Sequence, residues 1–312
     1  MPDHQQASAP EPAPTGEVLA PSGWLTRKQV EVIEPTSLLG KVRDPAQAFD
    51  HIWSLIPQDQ PRRLWRFLEC DGGLFIKGQN IPPRLTRAHY ARSRRLLAEQ
   101  RRLIVCVERG LPYSRCVAWG AERRLGLVSR SFLVLRVIPD VVDLAQYFLS
   151  GETRPPPVSE KGAHTGQAMR DRPDERVLTD EDHAARRRVI ETVAAEVARM
   201  HAAQVFHRDL SPRNILLQFP DDGAPPNVHF IDCPRAVIDP PGMLRENMLR
   251  SELYHFVKGL RKVHADDGEC RAALAALPDG TADTLMALVD EHVAHDRRPK
   301  GAARFLMTGK LP

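Results

Sequence analysis

The strongest chemical signal in the sequence is a polar run at residues 207–214, directly before the apolar segment 215–217. A carboxylate, Asp209, and an amide, Asn214, stand five residues apart in this run and can converge on one phosphoryl group. Asp209 can accept the proton of an acceptor hydroxyl while Asn214 holds a metal ion. The alternative is a turn that His207, Arg208 and Asp209 merely cap, but the fixed spacing between a helix and a strand favours catalysis.

A second carboxylate, Asp232, closes the short apolar segment 228–231 and lies 23 residues after Asp209. Phosphoryl transfer needs metal-linked oxygens that neutralise charge on the phosphates, and hard cations such as Mg²⁺ prefer carboxylate and amide oxygens. The sequence therefore predicts that Asn214 and Asp232 together bind Mg²⁺, with Mn²⁺ as the alternative ion.

A lysine at the end of an apolar strand could hold the other phosphates. Alternation in residues 74–77 puts Phe75 and Lys77 on one face of the strand. Glu99 lies on the apolar stripe of the next predicted helix, where a charge is seldom placed without a counter-ion. The sequence thus favours a pair of Lys77 and Glu99; the weaker candidate is Glu108, and a solvated strand-end lysine is the ordinary alternative.

The order of the predicted strands and helices that must position these residues indicates an α+β fold with a small β-rich part and a mainly helical part. Strands are predicted at 52–56, 64–69, 74–77 and 132–138, with a hairpin turn at 71–73, and further strands at 215–217 and 228–231. Helices are predicted at 84–109 and 180–201. We expect a disordered tail at 1–23, an N-lobe with sheet and helix at 24–135, and a C-lobe at 136–312 with a flexible loop at about 150–176.

Composition excludes several classes of protein. The 312 residues carry a net charge of only +4, so non-specific nucleic-acid binding is not expected. No apolar run reaches the length of a membrane span and no secretory signal is evident, which predicts a cytoplasmic protein. Five cysteines without a C-x-x-C pair predict reduced, buried thiols. The many arginines of the 84–109 helix suit a solvated face or, alternatively, an anionic membrane surface or phosphorylated glycan.

The run at 207–214 has the form H-R-D-L-x-x-x-N, the catalytic loop of protein-kinase-like enzymes. Over roughly residues 64–260 the sequence resembles the lipopolysaccharide kinase family, the Kdo and heptose kinases. The segments that carry the resemblance are 75–77, Glu99, 110–112, 131–134, His201, 207–214, 231–232 and 235–236. The resemblance implies a bilobal kinase-like fold, ATP with magnesium, and a sugar or glycolipid acceptor at the cytoplasmic face of the inner membrane.

Departures from protein kinases bear on the acceptor. Asp232 is followed by Cys-Pro-Arg-Ala rather than the Phe-Gly of D-F-G, no glycine-rich loop precedes Lys77, and no A-P-E signature follows. A peptide has little to lie on, whereas the guanidinium groups of Arg213 and Arg235 suit anionic groups of a glycan. Three alternatives stay open: a protein kinase, an inactive kinase-fold scaffold, and an antibiotic phosphotransferase, which Arg208 fits less well.

Overall fold

The computed structural model describes residues 26–34, 44–56, 65–70, 73–80, 95–124, 126–150, 178–295 and 306–307. The predicted tail at 1–23, and the predicted loop beyond Ser150, lie outside these residues. Contacts divide the chain into two compact units. One, here the sheet unit, comprises the described parts of Met1–Leu97 and Cys116–Arg136; the other, the helical unit, comprises those of Ala98–Arg115 and Val137–Pro312. The domain boundary predicted after residue 135 stays a prediction.

The sheet unit is built on five antiparallel strands in the order β1-β4-β5-β3-β2. The strands are β1 (Thr26–Val32), β2 (Trp65–Cys70), β3 (Leu74–Asn80), β4 (Cys116–Arg124) and β5 (Leu127–Arg136). The predicted hairpin is confirmed, because β2 and β3 pair directly and Gly73 adopts a φ of 68°, which glycine reaches without steric cost. Lys77 faces Leu133 across the β3–β5 pair.

Helix α1 (Pro45–Leu55) replaces the strand predicted at residues 52–56, so that prediction is wrong. The Asp44 side chain caps the helix by accepting the N–H of Ala46 at 2.9 Å, and Pro45 suits the first turn. The β-branched Ile52 suggested a strand, but the apolar spacing is helical and α1 can bury its stripe against the sheet. The core between them holds Phe49, Ile52, Trp53, Ile56, Ile76, Phe132 and Val134.

A buried carboxylate stabilises the β4–β5 strand pair of the sheet unit. Although burial alone would raise the pKa of Glu122, hydrogen bonds from Arg130 and Ser129 outweigh it and lower the pKa to about 2. Arg130 also lies over the rings of Phe49 and Trp53 in α1. The same guanidinium therefore links the strand pair to the helix that covers it.

Helix α2 (Arg95–Glu108) is the described part of the helix predicted at 84–109; residues 84–94 of that prediction lie outside the described residues. Gly110 ends the helix with a φ of 70°, and the N–H of Leu111 donates to the carbonyl of Cys106 at 3.0 Å. This left-handed glycine cap turns the chain sharply toward Pro112.

Among its described residues the helical unit contains two small sheets and, besides most of α2, five further helices. Its strands are β6 (Val141–Asp143), β7 (Val205–Phe206), β8 (Ile215–Gln218), β9 (Asn227–Phe230) and β10 (Val237–Ile238), ordered β6-β8-β9 and β10-β7. Its helices are α3 (Leu144–Ser150), α4 (Asp180–Ala202), α5 (Gly242–Lys262), α6 (Asp267–Ala272) and α7 (Asp279–His295). The predicted 180–201 helix and both predicted short strands are confirmed. No helix in the described ranges combines the length and apolarity that a membrane span requires.

Helix α4 begins at a capping motif that is visible in the sequence. Thr179 and Asp182 form a capping box at the start of α4, in which the Thr179 backbone N–H donates to the Asp182 carboxylate at 2.9 Å.

Four of the five cysteines are free and buried in the structure, namely Cys106, Cys116, Cys233 and Cys270. Burial raises the pKa of the Cys106 and Cys270 thiols to about 12, so these two stay protonated at neutral pH.

Candidate active site

His207 anchors the catalytic loop in the core of the helical unit. Its side chain is fully buried, and Nε2 donates to the carbonyl of Ile231 at 2.9 Å. The ring also stacks on Tyr113, with centroids 6.0 Å apart and planes 17° apart. His207 therefore ties the loop that carries Asp209 to the end of β9, just before Asp232.

Glu252 on α5 holds the same loop from the other side. Its side chain is buried, with the residue 2% exposed, and Oε1 accepts the backbone N–H of His207 at 2.9 Å. Oε2 accepts the N–H of Arg208 at 3.5 Å and lies 3.8 Å from Nε2 of His201. Arg208 has a φ of 65°, a left-handed conformation that a non-glycine residue keeps only when its surroundings impose it.

Sequence reasoning missed Glu252 as a site residue. Its signal was present, because the carboxylate lies on the apolar stripe of α5 beside Leu253 and Phe256, and a buried charge demands partners. Its partners are backbone amides 44 and 45 residues earlier in the chain. A motif search cannot find them, because backbone N–H groups leave no mark in the sequence.

Asn214 and Asp232 are brought together by the β8–β9 pair. Ile215 pairs with Phe230, and the N–H of Ile231 donates to the Asn214 carbonyl at 3.0 Å, which extends the pairing by one step. Asp232 follows immediately, with a φ of 55° that only a few per cent of non-glycine residues adopt. The two predicted metal ligands thus sit at the same end of one strand pair.

The donor set at this end of the strand pair fits a hard divalent ion. Nδ2 of Asn214 donates to the Asp209 carbonyl at 2.8 Å, which leaves Oδ1 as the atom able to bind a cation. Asp232 contributes carboxylate oxygens, and one amide with one carboxylate matches the preference of Mg²⁺, which keeps waters in its remaining positions. The same hydrogen bond fixes the spacing between Asn214 and the backbone of Asp209.

A short 3-10 turn, Pro212–Asn214, presents Arg213 to solvent. Gly259 of α5 lets this turn approach closely, since a Cβ at that position would lie 2.5 Å from Cδ of Pro212. The Arg213 charge acts on Asp143: burial raises the pKa of that carboxyl, while backbone N–H groups and Arg213 oppose the rise. Arg235 is also exposed.

Lys77 and Glu99 are both buried, as their predicted roles require. Ile56 of α1 lies against Gly78, so Lys77 points to the sheet face opposite α1, together with Gln79. Glu99 lies on the buried face of α2 with Leu96 and Leu103, which confirms the predicted stripe. The two residues belong to different compact units, and the ion pair between them stays a prediction.

The second half of α2 is fixed to the segment that follows Asp232. Arg109 donates two hydrogen bonds to the carboxylate of Asp239, at 3.0 and 2.6 Å, and a third to the carbonyl of Ala203 at 2.6 Å. Arg102 donates to the carbonyl of Pro234. These two arginines therefore bind protein groups, and Arg109 is also exposed, in keeping with a solvated helix face. The sequence could not show their distant partners.

His183 belongs to the one three-residue group of potential metal-binding side chains in the described ranges. Its Nδ1 lies 2.9 Å from Asp266 and 3.4 Å from Glu269. Both carboxylates already accept backbone N–H groups in the capping box of α6. The cluster is explained as a link between α4 and α6.

Comparisons with known proteins found a matching family model and similar solved structures. Residues 174–243, which include Asp209, Asn214 and Asp232, match the model of the lipopolysaccharide kinase (Kdo/WaaP) family. The solved structure of WaaP in complex with acyl carrier protein is similar, with 22% identity and a TM-score of 0.53, over 85% of this chain and 98% of that chain. A crystal structure of WbdD matches with 14% identity and a TM-score of 0.43, over 76% and 50%. No protein of curated function matches the chain in sequence.

The likeness to WaaP confirms the bilobal protein-kinase-like fold, with a small antiparallel sheet and a mainly helical part. The family match confirms the resemblance over the segment that carries the catalytic loop. Fold and family match together support a phosphotransferase of the kinase type.

Proposed function

We propose that this chain transfers the γ-phosphoryl group of ATP to a sugar hydroxyl of a lipopolysaccharide core or a similar glycolipid. The proposal rests on one observation, that backbone and side-chain hydrogen bonds bring three site residues to the same place in the fold. The hydrogen bond from Asn214 to the Asp209 carbonyl, and that from Ile231 to the Asn214 carbonyl, bring Asp209, Asn214 and Asp232 to the end of one strand pair.

Each of the three side chains has a distinct task in this proposal. Asp209 orients the acceptor hydroxyl and takes its proton as the new bond between oxygen and phosphorus forms and ADP leaves. Asn214 and Asp232 hold Mg²⁺, or Mn²⁺, through an amide oxygen and a carboxylate. The bound ion supplies positive charge that neutralises the phosphates. Because Asn214 donates to the Asp209 carbonyl, the Asp209 backbone is held beside one of the two metal ligands.

The remaining nucleotide contacts are assigned to Lys77 and Glu99. A buried ammonium on the sheet face opposite α1 suits the α- and β-phosphates, and a buried carboxylate suits the task of orienting it. Glycine-rich coverage of the phosphates is absent from the sequence before Lys77.

The acceptor is assigned from charge and from the family match. Arg213 and Arg235 are both exposed in the segments that flank the site residues, and guanidinium groups suit phosphate or carboxylate. The segment after Asp232 passes directly into β10 and α5 and has no A-P-E signature on which a peptide could be docked. The match over residues 174–243 supports a glycolipid acceptor and, with it, the cytoplasmic face of the inner membrane as the place of reaction.

The test is a transfer assay with labelled ATP and two acceptor pools. One pool is a lipopolysaccharide core fraction and the other is a mixed protein extract. Asp209→Ala is the inactive variant, and Asp222→Ala, which changes an exposed loop aspartate, is the matched control. We expect label in the glycolipid with the wild type and with Asp222→Ala only.

Two results would contradict the proposal. Label confined to protein bands would support the protein-kinase alternative. Absence of transfer to either pool, together with no binding of ATP, would support the inactive scaffold.

A further inference from the structure

A groove opens beside the catalytic loop, entirely within the helical unit. It is lined by Arg208, by Leu244, Asn247 and Met248 of α5, and by Met307, and its volume is about 360 Å³. Ligand sites in proteins commonly have volumes of about 300–1,000 Å³. We call it the α5 groove.

The walls of the α5 groove are held by hydrogen bonds of Arg250. Its guanidinium donates to Oδ1 of Asn247 at 2.7 Å and to the carbonyl of Met307 at 3.4 Å. Glu246 completes the arrangement through an ion pair with Arg250 at 3.2 Å. Glu246 is the acidic residue nearest in sequence to Met248 on α5, and its ion-pair partner is Arg250 rather than Arg208.

One wall of the groove is apolar and exposed. Met307, one of the exposed large hydrophobic residues among those described, is 59% exposed and lines the groove. Scattered apolar residues need no explanation, but Met307 lies in the groove together with Leu244, Met248 and Leu306. Unbranched methionine side chains adapt to irregular apolar ligands.

The other wall is cationic. Arg208 is exposed, and within the described part of the chain no carboxylate forms an ion pair with its guanidinium. Glu252 holds the left-handed backbone of Arg208, so the Cα from which this side chain extends is fixed on the loop. Asp209 is the next residue, and consecutive Cα atoms are only about 3.8 Å apart.

We propose that the α5 groove binds an anionic, partly apolar portion of the acceptor molecule. Arg208 takes a carboxylate or phosphate of the acceptor, and Leu244, Met248 and Met307 contact an adjoining apolar segment. The proposal rests on the phosphotransfer proposed above and narrows its acceptor to anionic amphiphiles, since a free neutral sugar would use neither wall.

Binding to the groove is measured without nucleotide, by calorimetry on the full chain. The probe is dodecyl phosphate below its micelle concentration, and the comparison ligands are inorganic phosphate and dodecyl maltoside. Because both walls contribute, we expect dodecyl phosphate to bind at least about tenfold more tightly than either comparison ligand.

Variants separate the two walls from the rest of the surface. Arg208→Gln and Met248→Gln are each expected to weaken dodecyl phosphate binding about tenfold. Met248→Leu keeps an apolar side chain and should bind like the wild type. Arg188→Gln, which removes an exposed arginine of α4 outside the groove, is the charge control and should have no effect.

The outcomes are distinct. Equal binding of dodecyl phosphate by wild type, Arg208→Gln and Met248→Gln would overturn the groove assignment, as would equal binding of the neutral maltoside. In the transfer assay, Arg208→Gln should raise the KM for the glycolipid and leave the KM for ATP unchanged. Transfer without groove binding overturns the groove alone, whereas groove binding without any transfer overturns the proposed function alone.

Discussion

Glu252→Gln tests whether a buried carboxylate on α5 holds the catalytic loop in its working conformation. The substitution keeps the size of the side chain and one acceptor oxygen. It removes the negative charge that the N–H of His207 meets at 2.9 Å, and it turns an NH₂ group toward one of the two backbone donors. Arg208 then lacks the partner that stabilises its φ of 65°.

The expected size of the effect follows from these contacts. A hydrogen bond to a charged group contributes about 1.5–3 kcal/mol, and a neutral amide keeps part of it. Loss of charge assistance at His207, together with the weaker contact to Arg208, gives a destabilisation of about 2 kcal/mol. Because the unfolding entropy grows with chain length, such a change lowers the Tm of a chain of 312 residues by about 3 °C. A shift of about 1 Å at the neighbouring Asp209 would reduce kcat by about 100-fold.

The assay combines thermal denaturation with transfer kinetics on the lipopolysaccharide core fraction. Glu191→Gln, which alters an exposed glutamate of α4, is the matched control and should change the free energy of unfolding by less than about 0.5 kcal/mol. An unaltered Tm and kcat in Glu252→Gln would refute the positioning role.

Three further predictions concern the sheet unit and the metal ligands. Glu122→Gln should lower the free energy of unfolding by about 2 kcal/mol at pH 7. Because the pKa of Glu122 is about 2 in the folded chain and 4.5 ordinarily, the stabilisation by its charge is complete above about pH 4.5 and is lost as the pH falls toward 2. The difference in free energy of unfolding between the wild type and Glu122→Gln, measured by urea titration, should therefore disappear over that range. Lys77→Ala, Glu99→Ala and the double variant should show similar rather than additive losses of kcat/KM, and full activity in Glu99→Ala would dismiss the pair. Asp232→Asn should abolish the magnesium-dependent part of ATP binding measured by calorimetry, and equal affinity with and without EDTA in the wild type would contradict the metal assignment.

The local chemistry of the site could be predicted from the sequence alone. The spacing of Asp209 and Asn214, and an aspartate closing an apolar strand, depend on residue types that are read directly from the chain. Long periodic segments such as α4 were also predictable, because a buried stripe over 23 residues has no alternative period. The short segment 52–56 was not predictable in this way, since a few β-branched and aromatic residues fit a strand or a helix equally well until the surface they bury against is known.

The distant groups that hold the site in place are brought together by folding and could not be identified from the sequence. Glu252 reaches backbone amides, Arg109 reaches Asp239 and Arg102 reaches a carbonyl 132 residues away. Nearly every residue carries the same backbone N–H and carbonyl groups, so a backbone partner leaves no signal in the sequence. A helical wheel likewise does not show whether an exposed arginine is solvated or binds a carboxylate. The α5 groove likewise arises from segments about 40 and 60 residues apart, so its apolar and cationic walls meet only when the chain has folded.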